Sequence, residues 1–313
     1  MGRERARGVM PISTAGWYDR TTGAKASAVA RLGAHLELAK PGLSLLMSAS
    51  CCASYLISKP IPDGACIGVA LGVFLLSAGG ASLNNFHDRH LDASLQRTQE
   101  RPLPSGMIAA RDALFQAAAL IVAGTLVLYL AGPTPVPPSL GLLAIGLYNF
   151  VYTPLKRTTI IAIVPGAICG ALPVLVGWTA AGSAVTLRTL LLMAVVGVWQ
   201  LPHFWLVLLT HRDDYSRAQL PTMLRLFSTS QLRRLVFIWT TVFVVMTLLL
   251  PLCQIVTTQI VSWALVANAY ALMGMATYRL IIRPNDASYR ALFRALNASA
   301  ALVIGLIAMG PVL

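Results

Sequence analysis

The sequence predicts an all-α, polytopic membrane bundle of nine transmembrane helices, with the N-terminus inside and the C-terminus outside. Three observations carry that reading. Hydrophobic residues fill 57% of the 313 positions and charged residues only 11%, with a mean hydropathy of +0.71. A soluble domain runs at about 45–50% apolar and about 25% charged, so this chain lacks the polar groups to cover a water-facing surface. The apolar residues gather into stretches near the ~20 residues that cross about 30 Å of hydrocarbon. Finally, 22 of the 24 Lys and Arg residues lie in alternate connections between those stretches, as expected when basic loops stay on the cytoplasmic side.

The composition excludes a soluble enzyme, a disordered chain and a secreted disulfide scaffold. The five cysteines (Cys51, Cys52, Cys66, Cys169, Cys253) form no Cys-x-x-Cys pair and lie in or beside apolar runs, so they read as small buried hydrophobes. The formal charge of +13 would suggest nucleic acid in a soluble protein. Here it records orientation, and no nucleic-acid partner is expected.

Two parts are expected: a basic cytoplasmic N-terminal segment over residues 1–40 and a nine-span membrane domain over 41–313. The N-terminal segment (Arg3, Arg5, Arg7, Arg20, Lys25, Arg31, Lys40) has no apolar signal-peptide core. It reads as a tail that contacts anionic lipid, or alternatively as a mitochondrial transit segment. The spans fall near 41–58, 65–86, 108–131, 138–152, 159–180, 188–210, 233–253, 257–282 and 291–312. Turn chemistry separates most of them, as at Lys59-Pro60-Ile61-Pro62-Asp63-Gly64, Gly132-Pro133-Thr134-Pro135 and Arg283-Pro284-Asn285-Asp286. Gly79, Gly80, Gly166, Gly170 and Gly177 sit where helices can approach closely.

Four of the eleven acidic residues form two clusters, both at predicted cytoplasmic helix ends. In the first, Asn84, Asp88 and Asp92 are spaced i, i+4, i+8, so a continuing helix would put all three on one face. The second is His211-Arg212-Asp213-Asp214-Tyr215. Two carboxylate clusters facing each other across a bundle make a hard, oxygen-rich site of the kind that suits Mg2+ bridging to phosphates. Arg89, Arg97, Arg101, Lys156, Arg157, Arg212 and Arg217 accompany the acids, and guanidinium forks bind phosphate. The chemistry that fits is departure of diphosphate from an activated lipid, with a metal neutralising the leaving group. Each feature also has a plain structural reading, since Asp and Arg at helix ends are often solvated. A transporter was weighed too, but its ionisable groups would sit nearer the midplane.

His203 in span six reads either as a satisfied core histidine or as a substrate contact. His87 and His90 flank Asp88 as candidate phosphate or iron contacts. Tyr148 and Tyr152 present ring faces of the kind that attract a cation.

Asn84-x3-Asp88-x3-Asp92, followed by Gln96-Arg97-Thr98 and Arg101-Pro102-Leu103-Pro104-Ser105-Gly106, resembles the signature of the UbiA superfamily of intramembrane prenyltransferases. Tyr152-Thr153-Pro154-Leu155-Lys156-Arg157, Gly166 through Gly177-Trp178, and Trp199-Gln200-Leu201-Pro202-His203-Phe204-Trp205 resemble the branch of that superfamily that acts on haem. The pattern differs at His90 and at Gln219-Leu220-Pro221-Thr222-Met223.

The resemblance implies transfer of a farnesyl group from farnesyl diphosphate to a vinyl group of protohaem IX (haem B), giving haem O. It assigns Asn84, Asp88 and Asp92 to one Mg2+, and Asp213, with Asp214 beside it, to a second. It makes Asp88, Asp92, Asp213, Asp214 and Lys156 catalytic, and it makes Asn84, Arg89, Arg97, Arg101, Tyr152, Arg157 and His203 substrate contacts. It also implies a bacterial cytoplasmic (inner) membrane, lipid contact, and partners such as haem A synthase or oxidase assembly factors. An aromatic quinone precursor as acceptor is the alternative within the superfamily, and an inactive haem-binding assembly factor is another.

Overall fold

The structure is a computed structural model and describes residues 28–217 and 223–310. The expected basic segment up to residue 27, and Gln219-Leu220-Pro221-Thr222, lie outside the described residues. Helix α1 (Ala28–Ala39) buries Ala34 and Leu38 and exposes Val29, Leu32 and Leu36. Its twelve residues reach only about 18 Å, too short to cross. Helix α2 (Pro41–Ser58) starts on a proline, whose missing N–H is harmless in a first turn. Asp63 caps the next helix, accepting from the Cys66 amide at 2.9 Å, from Tyr55 and from Lys59. Those bonds, that of Lys59 first, hold its carboxyl down at about 2.

Helix α3 (Gly64–Ser94) runs 31 residues without a break, about 46 Å at helical rise. That exceeds the hydrocarbon thickness, so its last turns project past the membrane face and carry residues 84–92 as a continuous helix. Helix α4 (Ala110–Ala131) returns antiparallel to it. The fourth expected span is one continuous helical stretch over residues 136–155 whose winding changes partway. It comprises α5 (Val136–Gly146), a wide π turn over Leu147–Tyr152, and the short α6 (Thr153–Leu155). The Tyr148 carbonyl accepts twice from Thr153, from its backbone N–H in the π register and from its hydroxyl at 2.7 Å, while Pro154 has no N–H to extend the ladder.

Helices α7 (Ile163–Ala180), α8 (Leu187–Thr210), the short α9 (Arg212–Arg217), α10 (Thr229–Leu252), α11 (Gln259–Thr277, continued by a π turn to Ile282) and α12 (Asp286–Met309) complete the chain. Among the described residues there is no strand, and eight helical segments are long and apolar enough to cross a membrane: α2, α3, α4, α7, α8, α10, α11 and α12. Sequential neighbours pack around a ring that closes through α12 on α2, with α2 also against α7 and α8 against α12. Large apolar side chains such as Phe115, Ile67, Leu130 and Ile260 face outward, as lipid-facing positions should. Cys51 and Cys66 are buried as expected, whereas Cys253, just past α10, is exposed.

Close helix approach explains two glycines. A Cβ on Gly177 would lie 2.0 Å from the Cys51 carbonyl oxygen of α2, and one on Gly124 would lie 2.7 Å from the Leu76 amide nitrogen of α3. Backbone fills the space a side chain would need. Gly177→Ala is therefore expected to push α7 off α2 and destabilise by about 1–3 kcal/mol, the usual range for overpacking. Gly274→Ala on α11, where nothing lies within 4 Å, is expected to be neutral or to stabilise by about 0.5–1 kcal/mol. Thermal unfolding of both variants in one detergent checks the pair.

Candidate active site

The long α3 places Asn84, Asp88 and Asp92 on one face, each about 95% buried. Two buried carboxylates need counter-charge, and three come from other segments. Lys156 Nζ bonds to Asp88 Oδ2, and Arg157 Nη2 donates to Asp88 Oδ1 at 3.0 Å. Arg101 Nη1 donates to Asp92 Oδ2 at 2.9 Å. Arg157 also holds the His87 carbonyl at 2.7 Å, so the turn after α6 is clamped onto the end of α3.

Asn84 is fixed from both sides, donating to Thr153 Oγ1 at 2.8 Å and accepting from the Tyr148 hydroxyl at 3.2 Å. Tyr148 and Tyr152, both within the π turn, are stacked 5.6 Å apart at 9°. Lys156 lies over the Tyr152 ring at 5.3 Å, and Tyr152 stacks on Phe204 of α8 at 6.1 Å.

Asn84, Asp88, Asp92, Arg101, Tyr148, Tyr152, Lys156 and Phe204 line one cavity of about 540 Å³, whereas Thr153 and Arg157 do not reach its wall. Its charged end is formed by Asn84, Asp88, Asp92, Lys156, Arg101, Arg97 and Lys40. Its other walls are apolar and aromatic and include Leu76, Ile145, Tyr148, Tyr152, Trp199, Phe204 and Trp205. The Gln200 amide fits over Gly170, where a Cβ would lie 2.3 Å from its Oε1, and donates to the Ala167 carbonyl at 3.2 Å. With Lys40, Arg97, Arg101, Lys156 and Arg157 set against two carboxylates, the charged end carries excess positive charge and suits a polyanion.

Asn84, Asp88 and Asp92 supply three hard oxygen donors on one face, a set that fits magnesium. Three donors do not fill an octahedral shell, and water and phosphate oxygens would complete it.

Several expected residues are placed elsewhere. Asp213 does not face the first cluster: its side chain is 78% exposed and pairs with Arg212 at 3.6 Å. Asp214 does not line the cavity either. It accepts from the backbone amides of Gln96 and Arg97, each at 3.2 Å, and so pins the loop that carries Arg97 and Arg101. Because neighbours i and i+1 point in different directions, two adjacent aspartates at a helix start cannot both aim at one site. Arg89 turns back onto the Phe86 carbonyl and ring. His87 packs between Phe86 and Phe150, and His90 is exposed. Neither histidine lines the cavity.

Lys40 was grouped with the basic tail but lines the cavity, in a left-handed backbone turn (φ 45°) between α1 and α2. Burial, then the charges of Arg101 and Lys156, pull its ammonium down to about 8 against the opposing pull of Asp88 and Asp92. The one sequence signal for it is its position beside Pro41 at a helix start. Thr153 and Asn297 were also missed. Asn297 is a lone amide within an apolar span, which is itself a functional hint. Its oxygen lies 2.7 Å from His203 Nδ1.

Comparison with known proteins finds relatives both in sequence and in fold. The protoheme IX farnesyltransferase of Geobacter sulfurreducens is 45% identical over 190 residues, 59% of this chain and 68% of that protein. The protoheme IX farnesyltransferase of Opitutus terrae is 34% identical over 280 residues, 88% of this chain and 94% of that one. A UbiA homolog from Archaeoglobus fulgidus, solved with GPP and Mg2+, superposes with a TM-score of 0.63 at 15% identity, covering 88% of this chain and 99% of that one. Residues 45–299, which include every charged cavity residue except Lys40, match the model of the UbiA prenyltransferase family. On the family match and the sequence shared with the Opitutus protein, this chain belongs to the UbiA prenyltransferase family.

Proposed function

We propose that this protein transfers the farnesyl group of farnesyl diphosphate to a vinyl group of protohaem IX, giving haem O. One observation carries the reading: a buried Asn–Asp–Asp face ringed by Lys and Arg forms the mouth of an aromatic-lined cavity in a membrane bundle. Relatives named protoheme IX farnesyltransferase supply the acceptor. Asn84, Asp88 and Asp92 would hold Mg2+, which when bound lends positive charge to the departing diphosphate.

Lys156, Arg157 and Arg101 exchange their carboxylate partners for phosphate oxygens, joined by Arg97 and Lys40, and so stabilise the charge that develops as the C1–O bond breaks. The faces of Tyr148, Tyr152 and Phe204 attract the allylic cation. Its C1 bonds to the terminal vinyl carbon, water adds to the carbon next to the porphyrin, and that water's proton is released. Atoms and charge balance with diphosphate as the other product. Holding a second ion through Asp213 would require α9 to turn its solvent-facing carboxylate toward the cavity.

We infer nine crossings, with α5, the π turn and α6 as the fourth. That places the charged face and the N-terminus in the cytoplasm and the C-terminus outside a bacterial inner membrane. A haem A synthase or an oxidase assembly factor would receive the product.

Purified protein with haem B, farnesyl diphosphate and magnesium is expected to give haem O by chromatography with mass detection. Asp88→Ala should lower turnover by ~10²-fold or more. Farnesylation of a quinone precursor in place of haem would sink the acceptor assignment. Because Lys40 loses its charge as pH rises through about 8, KM for farnesyl diphosphate should climb above that pH. Lys40→Met should show the high KM at every pH and no such limb. For topology, an impermeant maleimide added to intact spheroplasts is expected to label the exposed Cys253. Labelling only after lysis would invert the orientation.

A further inference from the structure

We infer that His203 binds the iron of the haem acceptor through Nε2, with Asn297 as the positioning residue that fixes the ring. This rests on the haem reading above. His203 lies on α8 and lines the same cavity as Asp88 and Asp92. Its Nδ1 is 2.7 Å from Asn297 Oδ1 on α12. An amide oxygen only accepts, so the ring hydrogen sits on Nδ1 and the Nε2 lone pair is left over. A histidine that binds a metal nearly always donates its other N–H to a carbonyl or carboxylate, which sets the tautomer and the ring plane. Asn297 provides that arrangement before any iron is present.

The surroundings support the assignment. The imidazole is packed by Trp199, Phe204 and Phe293, with ring centroids 5.2, 5.5 and 4.9 Å away. These faces suit a porphyrin. Among the described residues Nε2 has no hydrogen bond. The ring series Tyr148, Tyr152, Phe204, His203 runs from Asn84 along one wall. Diphosphate and iron are thereby assigned to different parts of one cavity, with the reacting carbons between them. Ligation forms one coordinate bond from Nε2 to iron and transfers no electron.

The experiment uses the full chain in detergent with haem B and no farnesyl diphosphate, read by optical absorption, electron paramagnetic resonance and resonance Raman. Wild type should show a histidine-ligated haem with a ferrous iron–histidine stretch. His203→Gly should lose that signature and regain it with added imidazole. Asn297→Leu should keep the ligand but lower the stretching frequency and weaken haem binding by about 10- to 100-fold. Asn297→Asp should raise the frequency. These shifts are read on folded, haem-bound protein, so a purely structural role would not produce them.

A His203→Gly spectrum identical to wild type, or a stretch indifferent to both Asn297 variants, overturns the proposal. If wild type makes haem O while either of those holds, ligation alone is wrong. If wild type neither binds haem nor makes haem O, the haem reading falls and the ligation with it.

Discussion

Two carboxylates buried at the end of α3 constrain everything around them. Ionised and unpaired at the edge of hydrocarbon, Asp88 and Asp92 would be prohibitively costly, and losing one partner of a buried pair typically costs about 3–5 kcal/mol. Lys156 and Arg157 therefore come from the turn after α6, and Arg101 from the loop after α3. Each contact draws a separate segment to one point. The same arrangement readies the site for its substrate, because cations already gathered and partly desolvated need little reorganisation when phosphate oxygens replace carboxylate.

The loops over this point are held by backbone as much as by charge. Asp214 caps the Gln96 and Arg97 amides, Thr98 donates its hydroxyl to the Asp92 carbonyl at 2.9 Å, and Arg212 reaches Asp286 of α12 at 3.3 Å. A carboxylate that looked like a metal ligand is instead the tie that sets where Arg97 and Arg101 stand. Position over the site thus depends on both acidic clusters, although one alone enters the cavity.

How much was legible in the sequence follows from periodicity. Asn84, Asp88 and Asp92 repeat every four residues, so a helix forces them onto one face, and the face was readable without coordinates. Lys156 and Arg157 were readable as the only charges in a short inner connection. Asp213 and Asp214 are adjacent, and adjacency carries no information about which side chain turns inward. The π turn in the fourth span goes with a Tyr148 carbonyl that accepts from both the N–H and the hydroxyl of Thr153. Those bonds are local backbone detail that hydropathy does not record. Lys40 and Asn297 could not be placed because their partners are distant in sequence: the cations and carboxylates of other segments for one, and a histidine 94 positions away for the other.

The division of the cavity into a charged mouth and an aromatic interior follows from where charge can exist in a membrane. An acid at the midplane costs about 2.5–3.5 kcal/mol even on the mildest scale, so the groups that manage diphosphate must sit at the face. A cation formed there and drawn inward would find neither water nor counter-ion, and only ring faces could stabilise it. Tyr148, Tyr152 and Phe204 supply those faces in an unbroken series away from Asn84. The π turn that stacks the two tyrosines also anchors Asn84, and one turn further along the chain are Lys156 and Arg157. A single local distortion, set by Thr153-Pro154, therefore couples the metal-binding face, the phosphate cations and the start of the aromatic wall.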